Sequence, residues 1–592
     1  MIRHHADEFE MQEILSFPVR DKKRKALFAK LRNLGNFVNS TISEKIVPVK
    51  KPVCETITTD HINYLPCKFC KGFYKRNYLR IHVKRCSCRN GVELSGNVQS
   101  DGQSLLSPYL KYQFLRNEVF PIMRADNISL AAKCDFLICA VGERYMKSHR
   151  EKQFRIVASR KMRQLATLLL EMRKSANVKN LYEILNPNYF EKIIGCTKLI
   201  AKYDELTETY GAPSLAANMG TLLKDAIDVA ILITLKKYKS KSEQLENLRT
   251  LKDLITNEWK YEISTIANNN LEQRKWNKPS LIPLAQDLNL IRTFLNVQSK
   301  KHQDKLKSDN NDESSYKQLQ EVTFVQLILL NRRRVGELQR ITLKTYKENI
   351  EKKISTEFDQ CLTETERILL KSFHRITVRG KRGRGVPVLF TEKMVSATNL
   401  LLKLRSNFIS ETNIYLFGQT NSNNCITGFK AISKYVRLAG VENPKAITST
   451  KLRKHLATMS QVVNLTDQDL DQLASFMGHT TNIHKEYYRL PNDVFQTAKI
   501  SKLLLLSEKG KLSKFKGKRL EDIDIDLCVS EAESDDQLDF DDFPHAGADS
   551  QHQPSTSSAT THSTGCNDEM PASIPISVCI ISNKNNNNSI DW

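Results

Sequence analysis

The 592-residue chain has no apolar stretch of roughly 18 residues, the minimum for a helix that crosses a bilayer, so no membrane span and no membrane partner are expected. The best candidate, Ala226 to Leu235, is interrupted by Asp228 and followed by Lys236 and Lys237. The opening Met1-Ile2-Arg3-His4-His5 leads into polar residues instead of an apolar run, which argues against a signal peptide. No internal repeat is visible. The 13 cysteines are scattered and odd in number, so they read as thiols or metal ligands and not as a disulfide framework. Between Glu521 and Asp542 there are eleven acidic residues and no Lys or Arg, whereas the whole chain carries +24 with a pI near 9.4. The part before that segment is therefore more basic than the total, and a polyanion, most commonly nucleic acid, is the expected partner.

Residues 1–60 are polar and basic and are expected to be partly disordered. Lys22-Lys23-Arg24-Lys25 is a candidate nuclear import signal, and a nuclear location is the expectation. A small zinc finger is read at 61–90 and a linker rich in Gly, Ser, Asn and Asp at 91–104. Residues 105–278 are mostly helical: Gln164 to Leu170 and Leu222 to Ile227 show apolar residues three and four apart. Asn277-Lys278-Pro279 breaks that run, because proline cannot continue a helix. A second helical unit, 279–508, begins with Leu281, Leu284, Leu288, Ile291 and Leu295 at helical spacing, and Ser299 to Ser315 reads as a charged surface loop within it. Residues 509–592, acidic and then Ser/Thr/Asn-rich, cannot bury a core and read as a disordered tail.

The finger rests on Cys67-x2-Cys70-x11-His82-x3-Cys86, two close pairs that can supply four ligands to a tetrahedral, structural Zn2+. Cys88 competes with Cys86 for the fourth position. Phe73 and Leu79 fall where a finger one residue shorter than usual keeps its core pair. Arg76, Arg80, Lys84 and Arg85 would decorate its helix and suit phosphate contact, although such a helix can equally bind protein.

A second constellation is spread over the 279–508 unit. Ile376 and Val378 alternate before a basic turn, Arg379-Gly380-Lys381-Arg382-Gly383-Arg384-Gly385, and Val386, Val388 and Phe390 alternate after it, so a β-hairpin is expected. Arg334 and Arg453 each stand beside apolar helical residues, Leu338 and Ile341 for the first and Leu452 and Leu456 for the second. Two forked guanidiniums aimed at one phosphate would stabilise a pentacoordinate transition state. Thr466-x-x-Asp469 reads as a capping box, Leu470, Leu473, Ala474 and Met477 as one apolar stripe, and Gly478 as the residue that ends the helix. Thr480, Thr481 or Asn482 can cap the next helix. His479 is then held at a helix–helix junction, and Tyr487 and Tyr488 lie on the helix that follows, one of them free to be a nucleophile.

The stretch from about Pro279 to Ser507 resembles the catalytic domain of the tyrosine recombinase (phage-integrase) family. Arg334-Val335-Gly336-Glu337-Leu338 matches its first-Arg motif, Gly380-Lys381 its hairpin lysine, Lys451-Leu452-Arg453 its second-Arg motif, and Met477-Gly478-His479 with Tyr488 its Gly-His and nucleophile motif. Thr450 stands where the family usually has a histidine, and a hydroxyl is no comparable proton acceptor; Lys451 or His455 can stand in. The finger, the acidic tail and Tyr487-Tyr488-Arg489-Leu490-Pro491 resemble eukaryotic mobile-element recombinases of the Crypton kind, or a domesticated derivative.

The resemblance implies a mainly α, multidomain fold of the DNA breaking-rejoining type: a helical core-binding-like domain and a catalytic domain with a small β-hairpin, clamping duplex DNA. It implies site-specific recombination through a 3′-phosphotyrosyl intermediate. Tyr488 would be the nucleophile, Lys381 the general acid, and Arg334, Arg453 and His479 the groups on the non-bridging oxygens, with Thr450 beside them. It also implies self-assembly on DNA and no need for ATP or a catalytic metal. The rival readings are a catalytically inactive zinc-finger DNA-binding regulator and a type IB topoisomerase.

Overall fold

The computed structural model describes residues 9–43, 46–50, 60–89, 91–92, 97–237, 243–274, 283–351, 362–380, 383–462, 466–478 and 501–508. Lys381, His479, Tyr487, Tyr488, the break at 277–279 and the 509–592 tail therefore lie outside the described residues, as do the three candidate caps at 480–482. The chain divides into a unit of residues Met1–Arg489 and a unit of residues Leu490–Trp592. In the second, Ser501–Glu508 is helical. No helix among the described residues is long and apolar enough to cross a membrane. The fold is mainly α and multidomain, and its described strands form two-stranded antiparallel hairpins.

The N-terminal segment contains helices α1 (Phe9–Leu15) and α2 (Lys22–Ser43), the second opening on the basic tetrad. Strands β1 (Tyr64–Pro66) and β2 (Phe73–Lys75) then pair with Pro66 opposite Phe73, and α3 (Arg76–Arg85) follows directly. Phe73 and Leu79 are both buried as expected, but in adjoining clusters. Phe73 packs with Ile46, Tyr64 and Phe37, while Leu79 packs with Leu65, Val83 and the cysteines.

The expected 91–104 linker is in part a helix, α4 (Val98–Leu105), capped by the Asn97 side chain, which accepts from the Ser100 amide. Its Ser100, Gln103 and Ser104 are buried. Ser100 Oγ donates to Phe120 O (2.5 Å), Gln103 Nε2 to Asp126 O (2.8 Å) and Asn97 Nδ2 to Met123 O (3.0 Å). Small and polar residues normally signal exposed loop; here they satisfy backbone carbonyls that would otherwise be buried without a donor. On its other side α4 meets the finger so closely that a Cβ at Gly102 would come within 2.5 Å of Pro66 O.

Helices α5 (Asn127–Cys134), α6 (Phe136–Ser148), α7 (Phe154–Ser175), α8 (Leu181–Ile184), α9 (Phe190–Ile200), α10 (Pro213–Lys237), α11 (Glu243–Asn257) and α12 (Thr265–Gln273) form the next core. Hairpin β3 (Tyr203–Asp204) and β4 (Thr209–Tyr210) lies between α9 and α10. Leu165, Leu168, Leu169 and Met172 of α7 are buried against this core together with Leu223, Ala226 and Ile227 of α10. These are the stripes that the sequence spacing predicts.

A third helical region contains α13 (Ala285–Ser308), α14 (Glu313–Asn331), α15 (Val335–Leu338), α16 (Leu343–Asn349), α17 (Glu364–Ser372), α18 (Glu392–Lys403), α19 (Arg405–Phe408), α20 (Gly428–Leu438), α21 (Ser449–Val462) and α22 (Asp467–Met477), its main core drawn from α13 to α16, α18, α20, α21 and the hairpin that follows α17. Hairpin β5 (Phe373–Arg379) and β6 (Gly385–Thr391) pairs in register from Phe373–Thr391 to Arg379–Gly385, burying Ile376, Val378, Val386, Val388 and Phe390 as the alternation predicts. The expected loop at Ser299 to Ser315 is a correction. Helix α13 runs on to Ser308, α14 starts at Glu313, and the chain between them is 309–312. The buried face of α13 is Asp287, Ile291, Leu295, Ser299, His302 and Leu306. Ser299 and His302 follow Leu295 on that face, so the apolar pattern is interrupted until Leu306 although the helix is continuous. His302 Nδ1 lies 3.3 Å from Ser315 Oγ.

Candidate metal centre and arginine cluster

The finger's knuckle forms because Lys71 takes the left-handed conformation (φ 58°) ahead of Gly72, and Cys67 and Gly72 close the turn with an amide–carbonyl bond of 2.9 Å. His82 comes from the last turn of α3, and Cys86 caps its end. The ligand atoms of Cys67, Cys70, His82 and Cys86 all lie within 4.8 Å of one another. Cys67 Sγ and Cys86 Sγ are 4.0 Å apart, and Cys70 Sγ is 3.3 Å from His82 Nε2. A tetrahedron with Zn–S arms of 2.3 Å has edges of roughly 3.8 Å, so this set fits Zn2+. Cys86 is the fourth member; Cys88 is half-buried and outside the group. Tyr74 stacks on His82 at 3.7 Å and fixes the ring. A hydrogen bond from the Cys67 thiol lowers the pKa of Cys70, and burial raises that of Cys86.

Because the ligands must be deprotonated, acid competes with metal at such a site. Metal analysis of the purified chain should find about one zinc, held by four protein ligands. Cys67→Ser should release it and expose the amides of 64–86 to rapid hydrogen exchange. Zinc content unchanged by that substitution would overturn the assignment.

The finger helix presents Arg80, Lys84 and Arg85 to solvent, but Arg76 is turned inward, its Nη1 donating to Ala125 O. Burial lowers the Arg76 pKa. Its expected phosphate role gives way to a tie with the helical core.

The second site starts at the end of α14. Asn331 clamps β6 with reciprocal bonds, its Nδ2 to Leu389 O (2.8 Å) and the Leu389 amide to its Oδ1 (2.7 Å). Arg332 then adopts the left-handed conformation (φ 53°), which ends the helix and turns the chain inward. Arg334 follows as the residue before α15, with its Nη1 3.0 Å from Glu337 Oε1, a carboxylate only 5% exposed. The hairpin tip returns to the same carboxylate: a Cβ at Gly380 would lie 3.5 Å from Glu337 Oε1. Helix α22 has the expected capping box at Thr466 and Asp469 and ends at Gly478 in the left-handed conformation (φ 70°). A Cβ there would find room, at 3.8 Å from Arg333 Nη1 and 3.9 Å from Arg334 Nη1. Glycine is favoured by the backbone angle, not by crowding.

Arg453, on α21, is 6% exposed. Its charge is felt at Arg333, whose pKa is lowered to about 10, first by burial and then by the like charges of Arg453 and Arg334 against the opposing pull of Glu337. Thr450 lies exposed on the first turn of α21. Lys451 Nζ donates to Lys445 O (2.8 Å). His455 is half-buried, with its pKa lowered by burial and by the Arg332 charge. Arg334, Glu337, Arg453 and the glycines that precede Lys381 and His479 thus gather in one region. Lys381, His479 and Tyr488 themselves are not among the described residues. Sequence reading missed Arg333, although the run Arg332-Arg333-Arg334 at the end of an apolar helix was a visible signal.

No family model matches the chain, and no curated protein matches it. Among solved structures it is similar to the XerH site-specific recombinase bound to palindromic difH substrate in a post-cleavage complex. That likeness has 12% sequence identity and a TM-score of 0.29, covering 62% of this chain and 95% of that one. It is similar also to XerH bound to difH in a pre-cleavage complex, with 12% identity and a TM-score of 0.29, covering 69% of this chain and 98% of that one.

Proposed function

We propose that this chain is a site-specific DNA recombinase that breaks and rejoins duplex DNA through a 3′-phosphotyrosyl bond. The observation that carries the reading is the convergence on Glu337 and Arg334 of chain segments far apart in sequence: the hairpin tip at Gly380 and the helix end at Gly478. Arg453 adds a second guanidinium close enough to influence the same cluster. A phosphodiester is the anion that suits two forked donors.

Tyr488 would attack the scissile phosphorus, and the departing 5′-oxygen would take a proton from Lys381. Arg334, Arg453 and His479 would hold the non-bridging oxygens, on which charge accumulates in the transition state. Attack of a 5′-hydroxyl on the phosphotyrosine would then rejoin the strands, expelling the tyrosine. The phosphodiester bond is exchanged and not hydrolysed, so the step needs no ATP. Lys451 or His455 of α21 would stand in for the usual histidine at Thr450; burial and the Arg332 charge lower the His455 pKa. Assembly of several copies on DNA, a nuclear location and an origin in a Crypton-like mobile element belong to the same proposal.

The test is a nicked suicide duplex carrying the element's own ends. The full chain should be trapped as a covalent protein–DNA adduct. Thr450 favours one rival, the inactive DNA-binding regulator, and repeated failure to trap an adduct alongside firm binding would select it. Relaxation of supercoiled DNA by single copies would select the topoisomerase instead.

A further inference from the structure

We infer that Arg333 is a positioning residue: it ties the elements carrying the proposed reacting groups to one another, and it does so without touching the DNA. This rests on the reading of the cluster given above. Arg333 is 1% exposed and among the largest fully buried side chains. Each of its parts holds a different element. The Nη2 group donates to Pro387 O on β6 at 2.7 Å, fixing the strand that leads out of the hairpin tip. Its guanidinium carbon lies 4.3 Å from the centroid of Phe476 on α22, two residues before Gly478, an arrangement that draws on both stacking and cation–π attraction. Its backbone carbonyl accepts from Ser449 Oγ (2.7 Å) at the start of α21, the helix that carries Arg453. Its own peptide leads into Arg334.

One residue thus joins these segments: its side chain ties β6, at the hairpin tip, to α22, at the Gly478 junction, and its backbone holds α21, which carries Arg453, and leads into Arg334. Full burial of a guanidinium is unfavourable unless its geometry is used, because the charge loses its water. Among the described residues, Arg333 Nε and Nη1 have no hydrogen-bond partner, and Nη1 faces the Gly478 turn. An apolar residue of similar length would fill the same space at lower electrostatic cost. What it would lack is the fork that sets β6 against α22.

The experiment compares Arg333→Met, which keeps the apolar stem, and Arg333→Lys, which keeps the charge but loses the planar fork. Measured on the duplex that traps the parent chain, adduct formation should slow by roughly 10²-fold in Arg333→Met, the scale expected for about an ångström of misplacement in reacting groups. Arg333→Lys should recover only part of that rate. DNA affinity and the slope of log affinity against log salt should stay at the parent values, since a lost phosphate contact would reduce that slope by about 1. Hydrogen exchange should quicken at 385–391 and 467–478 in Arg333→Met. A reduced salt slope would make Arg333 a direct phosphate contact and overturn the inference, as would parental rates or unchanged exchange. If the parent chain forms no adduct on any substrate, the recombinase reading fails. The exchange measurement still decides whether Arg333 ties β6 to α22.

Discussion

Tyr488→Phe should abolish the covalent protein–DNA adduct, while Tyr487→Phe should leave it intact. The two neighbours differ by about 100° in direction if both are helical, so only one can face a phosphate held by Arg334 and Arg453. Tyr488 is selected by its nine-residue step from His479. The described geometry supports the anchor from which that step is counted, since α22 ends at Gly478 beside the arginine cluster. Phenylalanine removes the phenolic oxygen and little else, so the expected change runs from a trapped band to none. Both variants need a melting measurement to show that they fold. An adduct lost in Tyr487→Phe and retained in Tyr488→Phe would move the nucleophile by one position.

Arg334→Ala and Arg453→Ala should each slow cleavage by roughly 10²–10³-fold, the usual cost of removing one donor that acts on transition-state charge. The two substitutions are not equivalent structurally. Arg334 is about one-third exposed and pairs with a carboxylate only 5% exposed, so its loss strands Glu337. Arg453 is 6% exposed, and its removal leaves a void between α21 and its neighbours. Rates should therefore be taken on the folded fraction. Arg334→Ala,Glu337→Gln together should restore stability without restoring rate, because a neutral amide no longer needs the cation. Cleavage within threefold of the parent in either single variant would remove that arginine from the proposed chemistry.

The sequence was most legible where period and punctuation agree. The β5–β6 hairpin followed from strict alternation on both sides of a glycine-rich turn, and α22 from a capping box, an apolar stripe and a terminal glycine. The metal ligands followed from spacing, and the structure decided between Cys86 and Cys88. It was least legible where polar residues are buried. Ser299 and His302 occupy the inward face of α13, and Ser100, Gln103 and Asn97 bind carbonyls of the helical core, so both segments read as loops. Burial of a polar group depends on a partner far away in the chain, and local pattern carries no record of it. Arg333 escaped notice for the same reason. A guanidinium beside apolar residues reads as a surface cation, and only the packing of β6, α21 and α22 around it reveals its place.

The helix at Val98–Leu105 alters what a piece of this protein would be. Lys133, fully buried, donates to Ser100 O (3.3 Å), Ser100 Oγ (3.0 Å) and Gln103 Oε1 (3.2 Å), and its pKa is lowered by burial to about 7. Those acceptors belong to α4, which is pressed on its other side against the finger's first strand. A chain cut at residue 105 would strip the ammonium of all three acceptors and open Phe120, which it overlies at 5.6 Å, to water. The finger is accordingly not portable. Grafted elsewhere it would lose its supporting helix, and the helical core left behind would lose the groups that make a buried lysine tolerable. Two regions that look separable along the chain are obliged to be inherited together.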